Sequence, residues 1–152
     1  MSIHIFVAFD MEHDQDLCDE IVASARGKAI FEISGTSESH STPEAWAEKT
    51  LARIAATEQV VVVCGEHTDA SVSVAAELRM AQEENKPVIL LWSRREVMCK
   101  KPVSALPADN MYSWTPDILG DQLTANRRSA LKMPVPKRLK RQNPRPGDLG
   151  SA

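Results

Sequence analysis

The run Gln59-Val-Val-Val-Val-Cys64 constrains the fold more than any other segment. Its apolar residues are consecutive rather than alternating. An extended strand of that kind is hydrophobic on both faces, and it is stable only with a layer of other elements over each face. Residues 3–9, 29–33 and 88–92 are runs of the same type, short and rich in β-branched, leucine or aromatic side chains. Asn110 to Trp114 suggests a fifth, shorter strand.

Between these runs the apolar spacing is helical. Leu17, Cys18, Ile21, Val22 and Ala25 share a helix face over residues 14–25, and Gly27 predicts a left-handed cap at its end. Ser34 to Thr42 is a polar loop, and Pro43 then opens a helix with Trp46, Leu51, Ile54 and Ala55 on one side. Residues 70–84 form a third helix, with Asp69 as N-cap and Lys86-Pro87 as stop. Thr115-Pro116-Asp117 starts a last helix that runs to about Arg128. Residues 93–107 have no clear periodicity. Strands alternating with helices imply right-handed crossovers and a parallel sheet. The reading is a three-layer α/β fold of flavodoxin-like type, with strand order 2-1-3-4-5.

At 152 residues the chain suits one domain, here 1–128, followed by a basic tail over 129–152. The net charge of −3 hides an asymmetry. Residues 1–126 hold 20 Asp or Glu against 10 Lys or Arg, whereas residues 127–152 hold eight Lys or Arg against Asp148 alone. With four prolines from Pro134 onward and almost no periodicity, the tail reads as flexible. Its bases offer nonspecific contacts to nucleic-acid phosphates. No aromatic residue interleaves them for base stacking, so contact with the acidic body or plain solvation is favoured. No apolar run nears the roughly 18 residues of a membrane span. Cys18, Cys64 and Cys99 are odd in number and each sits in or beside an apolar segment. A reducing, cytoplasmic setting fits them better than a disulfide framework.

Open parallel sheets bind ligands beyond the carboxyl ends of their strands, at the point where the strand order reverses. That rim holds Phe9, Asp10 and Glu12 after the first strand, Ser39 and His40 after the second, and Gly65, Glu66 and His67 after the third. Neither a dinucleotide-binding nor a P-loop glycine motif occurs. His4, His13, His40 and His67 have no metal-ligand spacing, so no metal site is expected. The acidic cluster Asp10, Glu12 and Asp14 resembles the Mg²⁺ pocket of response regulators, but the acceptor Asp and the Lys of such a pocket do not follow. Glu77 stands out because Ala70, Val74, Glu77 and Ala81 lie on one helical stripe. A carboxylate at the margin of an apolar, small-residue face needs a partner or a function. Surface pairing with Arg79, Arg53 or a lysine is the plainer alternative.

These segments together resemble the prokaryotic TIR-like domains that include the NAD-dependent signalling subunit of Thoeris anti-phage systems. Ile5-Phe-Val-Ala-Phe-Asp10 and its acidic follow-on look like that group's first strand, and Phe31-Glu-Ile-Ser34 like its second. Ser39-His40-Ser41 and Trp46 fit the next loop and helix, and Val60 to Thr68 the third strand and its Gly-x-x-Thr loop. Ala76-Glu-Leu-Arg-Met-Ala81 through Lys86-Pro-Val-Ile89 fits the segment after it. The match covers residues 3–92 in one register.

The resemblance implies that Glu77 is the catalytic residue of NAD⁺ cleavage, and that Phe9, Asp10, Ser39 and His40, with Gly65 and Glu66, border the substrate. It also implies NAD⁺ as substrate, a nucleotide signal in antiviral defence, and self-association or pairing with other TIR-like domains. Where the family commonly has an aromatic residue before the glutamate, this chain has Ala76. A non-catalytic TIR-like scaffold is therefore the alternative, and a deoxyribosyltransferase-like nucleoside enzyme a further one.

Overall fold

The computed structural model describes residues 2–27, 30–39 and 42–132. Five strands form one all-parallel sheet: β1 (Ile3–Ala8), β2 (Phe31–Thr36), β3 (Gln59–Cys64), β4 (Val88–Trp92) and β5 (Met111–Ser113). Their order is β2-β1-β3-β4-β5, the flavodoxin-like arrangement. Among the described residues four α-helices accompany them, α1 (Gln15–Gly27), α2 (Pro43–Ala55), α3 (Val72–Glu83) and α4 (Pro116–Lys132), with a 3₁₀ turn at Thr68–Ala70.

The consecutive valines of β3 divide between two cores, as a doubly covered strand requires. Val61 and Val63 join Ile5, Val7 and Phe9 against Leu17 and Ile21 of α1 and Leu119 and Leu123 of α4. Val60, Val62 and Cys64 join Phe6 and Ala8 against Ile54 of α2 and Val74, Leu78 and Ala81 of α3. The polar start of β3 is tied down by α4. Buried Gln59 donates to the Leu123 carbonyl at 2.9 Å and accepts from Asn126 at 3.0 Å. Beside it Arg127 pairs with Glu58.

Several boundaries differ from the sequence expectation, each for a local reason. The polar residues Ser34, Gly35 and Thr36 belong to β2, because Phe6 pairs with Gly35 and Val7 with Thr36 after a register shift. An edge strand needs backbone pairing on one side only, so polar side chains do not end it. Gly27 lies within α1 and has no positive φ. The left-handed cap occurs instead at Asn85 (φ 57°), where the Lys86 amide donates to the Ala81 carbonyl at 3.0 Å after α3. The N-cap of α3 is Ser71, not Asp69, since the Ser71 hydroxyl accepts from the Val74 amide. Helix α4 continues past Arg128 to Lys132, and residues 133–152 of the expected tail lie outside the described residues. Among the described residues no helix is long and apolar enough to cross a membrane. Cys18, Cys64 and Cys99 are free and buried, and burial pushes the Cys18 and Cys64 thiols up to about 11 and about 12.

Candidate functional site

The carboxyl ends of β1 and β2 meet the middle of α3, and a serine joins all three. The Ser37 amide donates to the Val7 carbonyl at 3.1 Å, so β2 delivers Ser37 to the end of β1. The Ser37 hydroxyl accepts from the Phe9 amide at 3.0 Å and donates to Glu77 Oε1 at 2.7 Å. Glu77 has no solvent exposure, and its Oε2 has no hydrogen-bond partner among the described residues. Burial pushes its carboxyl up to about 8, against the Ser37 hydrogen bond, which pulls it down. The group is thus largely protonated at neutral pH. Surface pairing with Arg79, Arg53 or a lysine does not occur; Arg53 holds Glu38 at 2.6 Å instead.

Two adjoining clefts lie at this end of the sheet, and neither Ser37 nor Glu77 lines them. The larger, about 500 Å³, is mainly apolar and lies between Pro43 and Trp46 of α2 and Val72 and Ala76 of α3. Ser39 and Glu38 line it as well. Ala76 therefore faces the cleft that its neighbour Glu77 does not reach. The smaller, about 280 Å³, is polar and is lined by Asp10, Glu12, His13 and His67. The clefts share Met11, Val72 and Ser73. Neither is lined by a lysine or arginine among the described residues.

In the polar cleft, Asp10 Oδ1 accepts from the Glu12 amide at 3.0 Å and Asp10 Oδ2 meets His13 Nδ1 at 2.9 Å. That hydrogen bond raises His13 above the ordinary imidazole value. His67 stacks on His13 with ring centroids 4.0 Å apart. Asp10, Glu12 and His13 each offer a ligand-type atom within 4.8 Å of the others, so His13 rather than Asp14 joins the two acidic residues that the sequence groups after β1. Asp10 is already engaged by two donors within the cluster.

The predicted site residues thus divide. Phe9, Asp10, Ser39 and Glu77 converge on the β1 and β2 ends, but in different ways. The Phe9 ring is buried in the core under α1 and α4, so only its amide serves the site. Ser39 is exposed, with its hydroxyl 3.9 Å from the Met11 sulfur. His40 lies outside the described residues. Gly65 serves the packing of another carboxylate. A Cβ there would stand 2.6 Å from both carboxylate oxygens of Asp14, so only glycine leaves room for that side chain. Glu66 is exposed and makes no hydrogen bond or ion pair with the described residues.

Asp14 is 1% exposed and its Oδ2 has no hydrogen-bond partner among the described residues. Burial raises its carboxyl above the usual range, while Arg94, 3.2 Å from Oδ1, opposes that shift. Arg94 also grips Asp16 at 2.8 Å and the His13 carbonyl at 3.0 Å, and so fixes the loop after β1. Nothing in the sequence marks Ser37 and Arg94, because each sits in a polar stretch. Only the pairing across 40 and 80 residues to Glu77 and Asp14 distinguishes them.

A conserved protein from Enterococcus faecalis V583 superposes with a TM-score of 0.52 at 11% identity, over 83% of this chain and 99% of its own. A prokaryotic SEFIR domain gives a TM-score of 0.49 at 12% identity, over 95% of this chain and 99% of its own. No curated protein matches the sequence. The family described as "Thoeris protein ThsB, TIR-like domain" matches residues 6–96, a segment that runs from the second half of β1 through β4 and includes both clefts. On that match, over more than half of its length, the chain belongs to the ThsB family of TIR-like domains.

Proposed function

We propose that this TIR-like signalling domain cleaves the nicotinamide–ribose bond of NAD⁺ in anti-phage defence, with Glu77 as the acting carboxylate. The observation that carries the proposal is Glu77 itself. It is a carboxyl held inside the domain by one hydroxyl, with its second oxygen uncommitted, one residue from a cleft wall. Departure of neutral nicotinamide leaves positive charge on the ribose, as in glycoside hydrolysis. A fixed carboxylate in a poorly hydrated site stabilises that cation strongly, and the neutral leaving group needs no strong acid. The apolar cleft beside Trp46 suits a flat heterocycle, and Asp10 and Glu12 suit ribose hydroxyls. A diphosphate would meet no lysine or arginine among the lining residues. The first-turn amides of α3, at Val72 and Ser73, and the imidazoles of His13 and His67 are the donors beside it.

Glu77 is closed off from solvent, so this conformation is a resting one, and catalysis requires the carboxyl to become accessible and ionised. Self-association with other TIR-like domains is the change we propose for that. The test is incubation with NAD⁺, dilute and under conditions that force assembly, with nicotinamide and the nucleotide product identified. Turnover by wild type and none by Glu77→Gln is expected; no turnover in any condition overturns the proposal.

The complete burial of Glu77, together with Ala76 before it, favours one other reading, a non-catalytic assembly module. In that case wild type and Glu77→Gln behave alike in binding and defence assays.

A further inference from the structure

We propose that Ser37 is the positioning residue of this site, fixing Glu77 through its hydroxyl and setting the pH at which Glu77 becomes a carboxylate. The inference rests on the proposed role of Glu77. Its basis is a chain of three hydrogen bonds that leaves the serine no freedom. The Ser37 backbone is anchored on β1 through the Val7 carbonyl. Its hydroxyl oxygen is occupied by the Phe9 amide, so its single proton points at Glu77 Oε1, 2.7 Å away. Ser37 is itself buried, 5% exposed, so water does not compete for that proton.

Toward Glu77 this hydroxyl is the donor, and donation favours the ionised carboxyl. Ser37 is the one group besides burial that moves the Glu77 titration. The titratable or charged groups on the elements packed around α3 are exposed His4 on β1 and Asp10 after it, exposed Glu32 on β2 and Glu38 after it, Arg53 on α2, Cys64 on β3 and Cys99 after β4. Glu44, Glu48 and Lys49 of α2 are exposed, and β4 carries none. None of them hydrogen-bonds or pairs with Glu77. Asp10 is taken by His13 and the Glu12 amide, and Arg53 by Glu38. Without the Ser37 proton, Glu77 would have no donor within the described residues. Its Oε2, free of partners, is the oxygen left for a developing cation.

The test follows the Glu77 carboxyl carbon by NMR in protein labelled with ¹³C-glutamate, the resonance being assigned by its loss in Glu77→Gln. Ser37→Ala should move the titration midpoint upward by about one pH unit, the effect of losing one hydrogen bond to a charged group. Ser37→Thr, which keeps the hydroxyl, should return it to the wild-type value. Ser37→Cys, a weak donor of similar size, gives an intermediate midpoint and serves if the alanine variant does not fold. An unchanged midpoint in Ser37→Ala or Ser37→Cys overturns the proposal. This readout needs no NAD⁺ turnover, so it stands apart from failure of the enzymatic reading. If NAD⁺ is cleaved, Ser37→Ala should lower kcat about tenfold at pH 7 with KM little changed. Raising the pH should recover the rate, which a purely structural defect would not permit.

Discussion

Glu77→Gln should stabilise this domain at neutral pH and should not do so in acid. In the unfolded chain the Glu77 carboxyl ionises near its ordinary value of 4.5, whereas in the folded domain it holds its proton up to about 8. The folded state therefore binds more protons between those values, and stability falls as pH rises through that window. The loss is complete above about pH 8. At pH 7, which is 2.5 pH units above the unfolded value of 4.5, the loss amounts to about 3 kcal/mol, and at pH 5 to about 1 kcal/mol. Glutamine reproduces the neutral acid: its carbonyl accepts from Ser37, and its amide stands where Oε2 has no partner now. It cannot ionise, so the pH-dependent cost disappears. The assay is urea unfolding of both proteins at pH 5 and pH 7. The advantage of Glu77→Gln should grow by about 2 kcal/mol between the two, with a rise in Tm of roughly 10 °C at pH 7. An advantage that does not change with pH would refute the buried, protonated Glu77 and with it the electrostatics of the site.

Two further substitutions test the frame around the clefts. Arg94→Ala leaves the buried Asp14 carboxylate without its cation and should cost about 2 kcal/mol in chemical unfolding, with part of the loss regained on acidification. Gly65→Ala sets a methyl against the Asp14 carboxylate and should cost roughly 1–3 kcal/mol. Adding Asp14→Ala should relieve that clash, so the double variant is less destabilised than the sum of the single ones; simple additivity would contradict the packing.

The sequence determined the layers and the strand order. A run such as Gln59–Cys64, apolar on both faces, has no stable place except the middle of a covered sheet, and the helical stretches between the runs leave room only for parallel crossovers. It also drew attention to Glu77, because a carboxylate on a stripe of small and apolar residues conflicts with its surroundings. The boundaries that differ are those decided by backbone pairing rather than by side-chain pattern. Polar Ser34 to Thr36 extend β2 because β1 supplies their hydrogen bonds, and Asn85 rather than Gly27 takes the left-handed turn.

Only the tertiary structure decided what Glu77 is. Periodicity placed it at the margin of a face, where a surface arginine was a reasonable partner. Folding buried it completely and gave it a serine 40 residues away. Likewise, Gly65 and Arg94 acquire meaning through Asp14, which chain spacing does not connect to either. The physical reason is the same in each case. Local pattern reports the chain's preference for apolar or polar surroundings, but the cost of an ionisable group depends on its desolvation and on the donors that long-range packing brings to it.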